Sequence, residues 1–212
     1  MNNDLKNYIE NDILPEYNAF DRAHDTAHIQ QVINDSLLLA QNFDVDIDMV
    51  YTIAAYHDIG IGQNREFHHI ISGKILKADK NLKRWFTAQQ IDTMQKAVED
   101  HRASNDYEPR DIYGKIIAEA DRDISLKTIL RRTLQYGLTK YSCVDFEFHF
   151  NRAYSHIKDK YGENGYLKLY LHSEKNERGL LEIRAALHNK KLLRKMFEEM
   201  FLQELANKPV II

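Results

Sequence analysis

Ten histidines stand in a chain of 212 residues, and several lie where a metal ion or a proton could be handled. Two His-Asp dipeptides occur, His24-Asp25 and His57-Asp58. The first falls at an expected helix start, where Asp25 suits capping of backbone N–H groups. The second ends the apolar run Ile53-Ala54-Ala55-Tyr56, just before Gly60. A pair placed there sits at the inner end of a largely buried helix. A carboxylate buried beside an imidazole is costly without a compensating partner, and a divalent cation is an effective one. The dipeptide alone leaves open both a metal pair and a hydrogen-bonded core pair. Its neighbours favour the metal. His28 begins an amphipathic stretch, Asp121 ends Ile116-Ile117-Ala118-Glu119-Ala120, and His69 and His101 fall on two segments between. Imidazole and carboxylate donors suit Mn²⁺, Fe²⁺, Co²⁺, Ni²⁺ or Zn²⁺. His57 and Asp58 are about 100° apart around a helix, yet both can reach an ion lying at its surface.

The elements that must carry these residues read as helices. Eight Gly and three Pro are too few for the turns of a sandwich or barrel. Leu5, Ile9 and Ile13 recur at helical spacing, as do Ile29, Val32, Ile33, Leu37 and Ala40. Met49, Ile53 and Tyr56 start another helix, stopped by Gly60 and Gly62. The segment 65–79 reads as a helix with Phe67, Ile70, Ile71 and Ile75 on its apolar face. Thr87 and Gln90 form a capping box for a helix ending near His101. Pro109 is expected to open another, and helices follow over 125–140 and 144–161. GENG at 162–165 breaks the chain, before a short helix and a long one over 177–206. The expectation is an all-α chain, a single domain over 1–212. Its metal-binding core spans about 20–125, and additional C-terminal helices span about 140–206.

Composition narrows the class. Lys+Arg is 29 against 32 Asp+Glu, a net charge of −3, which excludes a globally basic nucleic-acid coat. The single Cys143 excludes a disulfide framework and a cysteine zinc site, so a reducing, cytoplasmic setting is expected. No apolar run reaches the ~18 residues of a membrane span, and the first residues lack a signal-peptide core.

The order His28 … His57-Asp58 … Asp121 resembles the H…HD…D signature of the HD-domain metal-dependent phosphohydrolases. HDTAHIQQV, AAYHDIG, HHIISGKIL, AVEDHR and KIIAEADRD resemble that family's successive motifs over roughly residues 20–125. The resemblance implies that His28, His57, Asp58 and Asp121 bind one divalent ion. It further implies that His69 and His101 either bind a second or line the phosphate pocket. HRASNDYEPRD lacks the Gly-Tyr-Pro element of the two-metal cyclic dinucleotide phosphodiesterases. HDIGIGQ lacks the acid that alarmone hydrolases and the related 5′-nucleotidases carry soon after HD. The subfamily is therefore unassigned.

The implied activity is hydrolysis of a phosphoester or phosphoanhydride of a small phosphorylated metabolite, a nucleotide foremost. Asp58, His69 and His101 are the candidate catalytic residues, with His24 a further candidate acid. Arg65, four residues before His69 on the expected helix, and Arg102, beside His101, are the candidate substrate-binding cations. Arg122 is a third cation beside Asp121. Two rival readings are a non-catalytic, metal-stabilised ligand-sensing module and a di-iron oxygenase. The expected partner is the substrate, with a homodimer left open and neither nucleic acid nor a membrane expected. The many aromatic residues after position 140 are read as packing between helices.

Overall fold

A computed structural model describes residues 1–19 and 26–206, and all regular structure among them is helical. The helices are α1 (Asn3–Tyr8), α2 (Thr26–Ala40), α3 (Ile47–Tyr56), α4 (His68–Ala78), α5 (Ala88–Asp100), α6 (Ile112–Ala120), α7 (Leu126–Lys140), α8 (Phe146–Tyr161), α9 (Glu174–His188) and α10 (Lys190–Ala206). His24 and Asp25 lie outside the described residues. None of these helices is long and apolar enough to cross a membrane.

The contacts divide the chain into two compact units. One comprises Met1–Arg122 with Leu169–Leu171, and the other Asp123–Lys168 with the chain from His172 onward. Of the expected metal-binding core, the part up to residue 122 falls in the first unit and 123–125 in the second. In the first unit, α2, α3, α5 and α6 pack on one another around Ile29, Ile33, Ile53, Met94 and Ile117, all buried. Tyr17 is buried there, and its hydroxyl donates to the Ala55 carbonyl at 2.9 Å, fixing the last turn of α3. In the second unit, Phe150, Ile157, Ile183 and Phe197 are buried, and Phe146 packs its ring against Phe150, Phe197 and Phe201.

Three expected boundaries move. The helix expected from 65 begins only at His68, because 65–67 is bent and the Asn64 side chain accepts from the Glu66 and Phe67 N–H groups. α6 begins at Ile112, not Pro109, since Asp111 is the N-cap and accepts from Gly114 N at 2.9 Å. The long helix expected over 177–206 is broken at Asn189. That residue leaves helical backbone geometry, and its side chain accepts from Leu192 N at 3.1 Å to start α10. No short helix lies between Tyr161 and Glu174.

Gly60 does more than stop a helix. A Cβ there would lie 2.7 Å from Ser72 N and 2.8 Å from His68 O, so the turn after His57-Asp58 rests directly on the first turns of α4. Gly60 N donates to Ser72 Oγ at 2.9 Å and locks that contact. Gly60→Ala is expected to destabilise the protein by about 1–3 kcal/mol through overpacking. A lower midpoint in urea denaturation is the outcome that checks it.

Candidate metal centre

Asp58 and five imidazole or carboxylate groups come together where three helices end. His57 is the C-cap of α3, His101 of α5 and Asp121 of α6. Helix C-termini carry partial negative charge and unpaired carbonyls, so three of them converging favour a cation. His28 comes from the first turn of α2 and His68 opens α4.

Two donor groups share Asp58. On its Oδ2 side, His28 Nε2 lies at 3.9 Å and His57 Nε2 at 3.5 Å. Asp121 Oδ1 completes this side, 3.3 Å from His28 Nε2 and 3.6 Å from His57 Nε2. On the Oδ1 side, His68 Nε2 lies at 3.3 Å and His101 Nε2 at 3.4 Å, with the two nitrogens 3.2 Å apart. Bonds of ~2.1 Å to a common ion place neighbouring ligand atoms roughly 3.0–3.4 Å apart, close to most of these separations.

Hydrogen bonding fixes which nitrogen of each ring faces inward. His57 Nδ1 donates to Ala54 O at 2.8 Å, His68 Nδ1 to Arg65 O at 2.8 Å and His101 Nδ1 to Val98 O at 2.6 Å. A carbonyl can only accept, so each Nδ1 carries a proton and each ring turns its Nε2 into the cluster. These nitrogens face carboxylate oxygens, and those of His68 and His101 face each other. His57 Nε2 is buried with no hydrogen-bond partner. Such a set is stable only around positive charge, and the donor chemistry fits a divalent ion.

The protonation equilibria show the same demand. Burial lowers the His57 pKa, but the Asp58 and Asp121 carboxylates outweigh it and push it up to about 9. Burial opposes ionisation of Asp58, yet the imidazoles of His57 and His101 hold it well below the usual carboxylate range. Asp121 is likewise held low despite burial, by the neighbouring imidazoles of His28 and His57. A proton on His57 answers part of a need that a cation answers more fully.

The structure brings His28, His57, Asp58, His101 and Asp121 together, but it puts His68 where the sequence reading put His69. His69 is buried beside the cluster, its Nδ1 without a partner. Burial, then the nearby His101, His68 and Arg102, lower its pKa to about 4, so it is neutral at physiological pH. The reason is helical phase: adjacent side chains diverge by about 100°, and the Gly60–Ser72 contact sets which one faces Asp58. The doublet His68-His69 was visible, but nothing in it fixed that phase. Arg65 does not share a helical face with His69, because α4 starts after it. Its side chain is exposed, and its carbonyl orients His68. Arg102 is partly buried and acts electrostatically on His69. Arg122 is buried, donates to Ala118 O and lies over the Tyr170 ring at 5.2 Å.

Sequence reasoning missed Asp100. It is buried next to His101 and accepts from Arg110 Nε at 2.9 Å and Arg110 N at 2.8 Å, which closes the loop after α5. Its signal was an acid at the apolar end of a helix, the same signal that marked Asp121.

Residues 26–124 match the family model of the HD domain. No curated protein and no solved structure matches the chain.

Asp58→Ala is expected to abolish metal binding while helical circular dichroism is retained, since both donor groups lose their shared carboxylate. His68→Ala should lower the metal bound per chain, read by elemental analysis, whereas His69→Ala should leave it unchanged.

Proposed function

We propose, from the match of residues 26–124 to the HD-domain family model, that the protein is a metal-dependent phosphohydrolase acting on a small phosphorylated metabolite. The observation that carries the reading is the division of Asp58, whose two oxygens each face a separate set of donors. That division supports a two-ion centre. His28, His57, Asp58 and Asp121 would hold one ion, and Asp58, His68 and His101 the other. A divalent ion supplies Lewis acidity, lowering the pKa of water from about 15.7 towards neutrality and drawing charge from a phosphoryl group.

The chain's own residues prepare the rest. The three rings tied by Nδ1 to backbone carbonyls need no reorientation to present Nε2, so little entropy is lost when ligands are taken. The imidazoles of His57 and His101 hold the Asp58 carboxyl well below the usual range, which favours the ionised form a metal needs. Arg102, next to His101, is the cation we assign to the charge that develops on the phosphoryl oxygens. Neutral His69 offers a hydrogen bond there without adding charge. Phe67, 52% exposed immediately before His68, presents an aromatic face against which a base could stack, and this supports a nucleotide as substrate.

The test is a screen of nucleotides and simple phosphoesters with Mn²⁺, Ni²⁺ or Co²⁺. Hydrolysis is expected in the wild type and lost in Asp58→Ala. Phe67→Ala should raise KM for nucleotides several-fold with kcat nearly unchanged, and Arg102→Gln should lower kcat/KM by ~10–100-fold. A fully metal-loaded protein that hydrolyses no phosphoester would overturn the proposal in favour of a ligand-sensing module. Oxygen consumption with a di-iron spectrum would overturn it in favour of an oxygenase.

A further inference from the structure

The second unit carries an uneven distribution of charge that the metal centre does not use. α7 and α8 pack against each other, and between them lies an open cleft of about 370 Å³. Arg152, His156 and Lys160 follow one another at i, i+4 and i+8 along α8, so they form one stripe on that helix. All three line the cleft, and Arg132 faces them from α7. The one acid among the lining residues is Asp123, 3.8 Å from Arg132.

Arg152 is built into place. Gly137 on α7 leaves a gap that the guanidinium fills: a Cβ at 137 would meet Arg152 Nη2 at 2.3 Å and Cζ at 2.9 Å. The guanidinium donates through Nη2 to Thr133 O and lies 5.8 Å from the Tyr136 ring and 5.9 Å from that of Tyr141. Its Nε is buried with no hydrogen-bond partner. A cation held this firmly has already lost its side-chain freedom, which lowers the entropy cost of binding. The field in the cleft is positive enough that Lys160 and Arg152, after burial, lower the pKa of His156. Tyr136 and Tyr161 supply aromatic wall and Ile129 apolar surface, so the cleft suits a ligand with a carbon body as well as charge.

We propose that the α7–α8 cleft is a binding site for an organic phosphate, with its phosphate on Arg132, Arg152 and Lys160 and its body against Tyr136 and Tyr161. Guanidinium groups match phosphate oxygens in a bidentate manner, and a lysine adds a point charge. The site shares no residue with the metal cluster.

Isothermal titration of the full chain, kept in EDTA, with pyrophosphate and separately with a nucleoside triphosphate, tests this. One saturable site is expected, tighter for the nucleotide than for pyrophosphate. The double variant R132Q/K160Q should weaken it at least tenfold while circular dichroism stays unchanged. R152Q should do the same, and R132Q/K160Q keeps the test decisive if R152Q fails to fold. H68A should leave binding intact. Absence of saturable binding, equal affinity for sulfate and pyrophosphate, or binding that survives R132Q/K160Q and fails in H68A would each overturn the proposal.

Discussion

Imidazole nitrogens that cannot turn away from carboxylate oxygens are the constraint on which the first unit depends. Each of the three inner rings is tied by Nδ1 to the carbonyl three residues before it, in Ala54, Arg65 and Val98. The last carbonyls of a helix lack intrahelical partners, so for His57 and His101 the tie also caps a helix end. Satisfying those carbonyls turns three Nε2 atoms inward against Asp58. The unit therefore folds into a state with unmet electrostatic demand at one place. That is a poor way to gain stability and an effective way to select a cation.

The surrounding structure makes the demand persist. Tyr17 holds the end of α3, Gly60 lets the following turn lie on α4, and the Asp100–Arg110 pair closes the loop after His101. None of these residues is a candidate ligand. Each removes a motion by which the donors could separate and relax. An arrangement that keeps its ligands oriented before the ion arrives gives up affinity only to desolvation, not to reordering.

The second unit uses glycine in a similar way. Gly137 makes room for the Arg152 guanidinium, and Gly179 lets α9 pass so near Ile124 that a Cβ would stand 2.0 Å from its carbonyl oxygen. Both allow backbone and side chain to approach more closely than any other residue would. Exposed aromatic residues remain on this unit, Tyr136, Tyr141, Phe148 and Tyr166 among them. The expectation that the aromatic residues after position 140 pack between helices therefore holds for Phe150 and Tyr161 but not for Tyr141, Phe148 and Tyr166.

The sequence by itself determined the helical class, because sparse Gly and Pro and a repeating apolar spacing leave few alternatives. It also determined the donor types and the segments bearing them, since a His or Asp at the end of an apolar helix needs a partner wherever the helix goes. Helix ends were less legible: the bend before His68 and the break at Asn189 depend on side chains capping a neighbouring N–H, which local pattern only hints at. Tertiary structure alone decided that His68 and not His69 meets Asp58. Two adjacent side chains on a helix point about 100° apart, and only packing against another segment, here the turn at Gly60, fixes which one faces the centre. The gathering of Arg132 with the α8 stripe was also invisible in one dimension. The residues stand twenty and more positions apart, and nothing but the pairing of α7 with α8 brings them to one cleft.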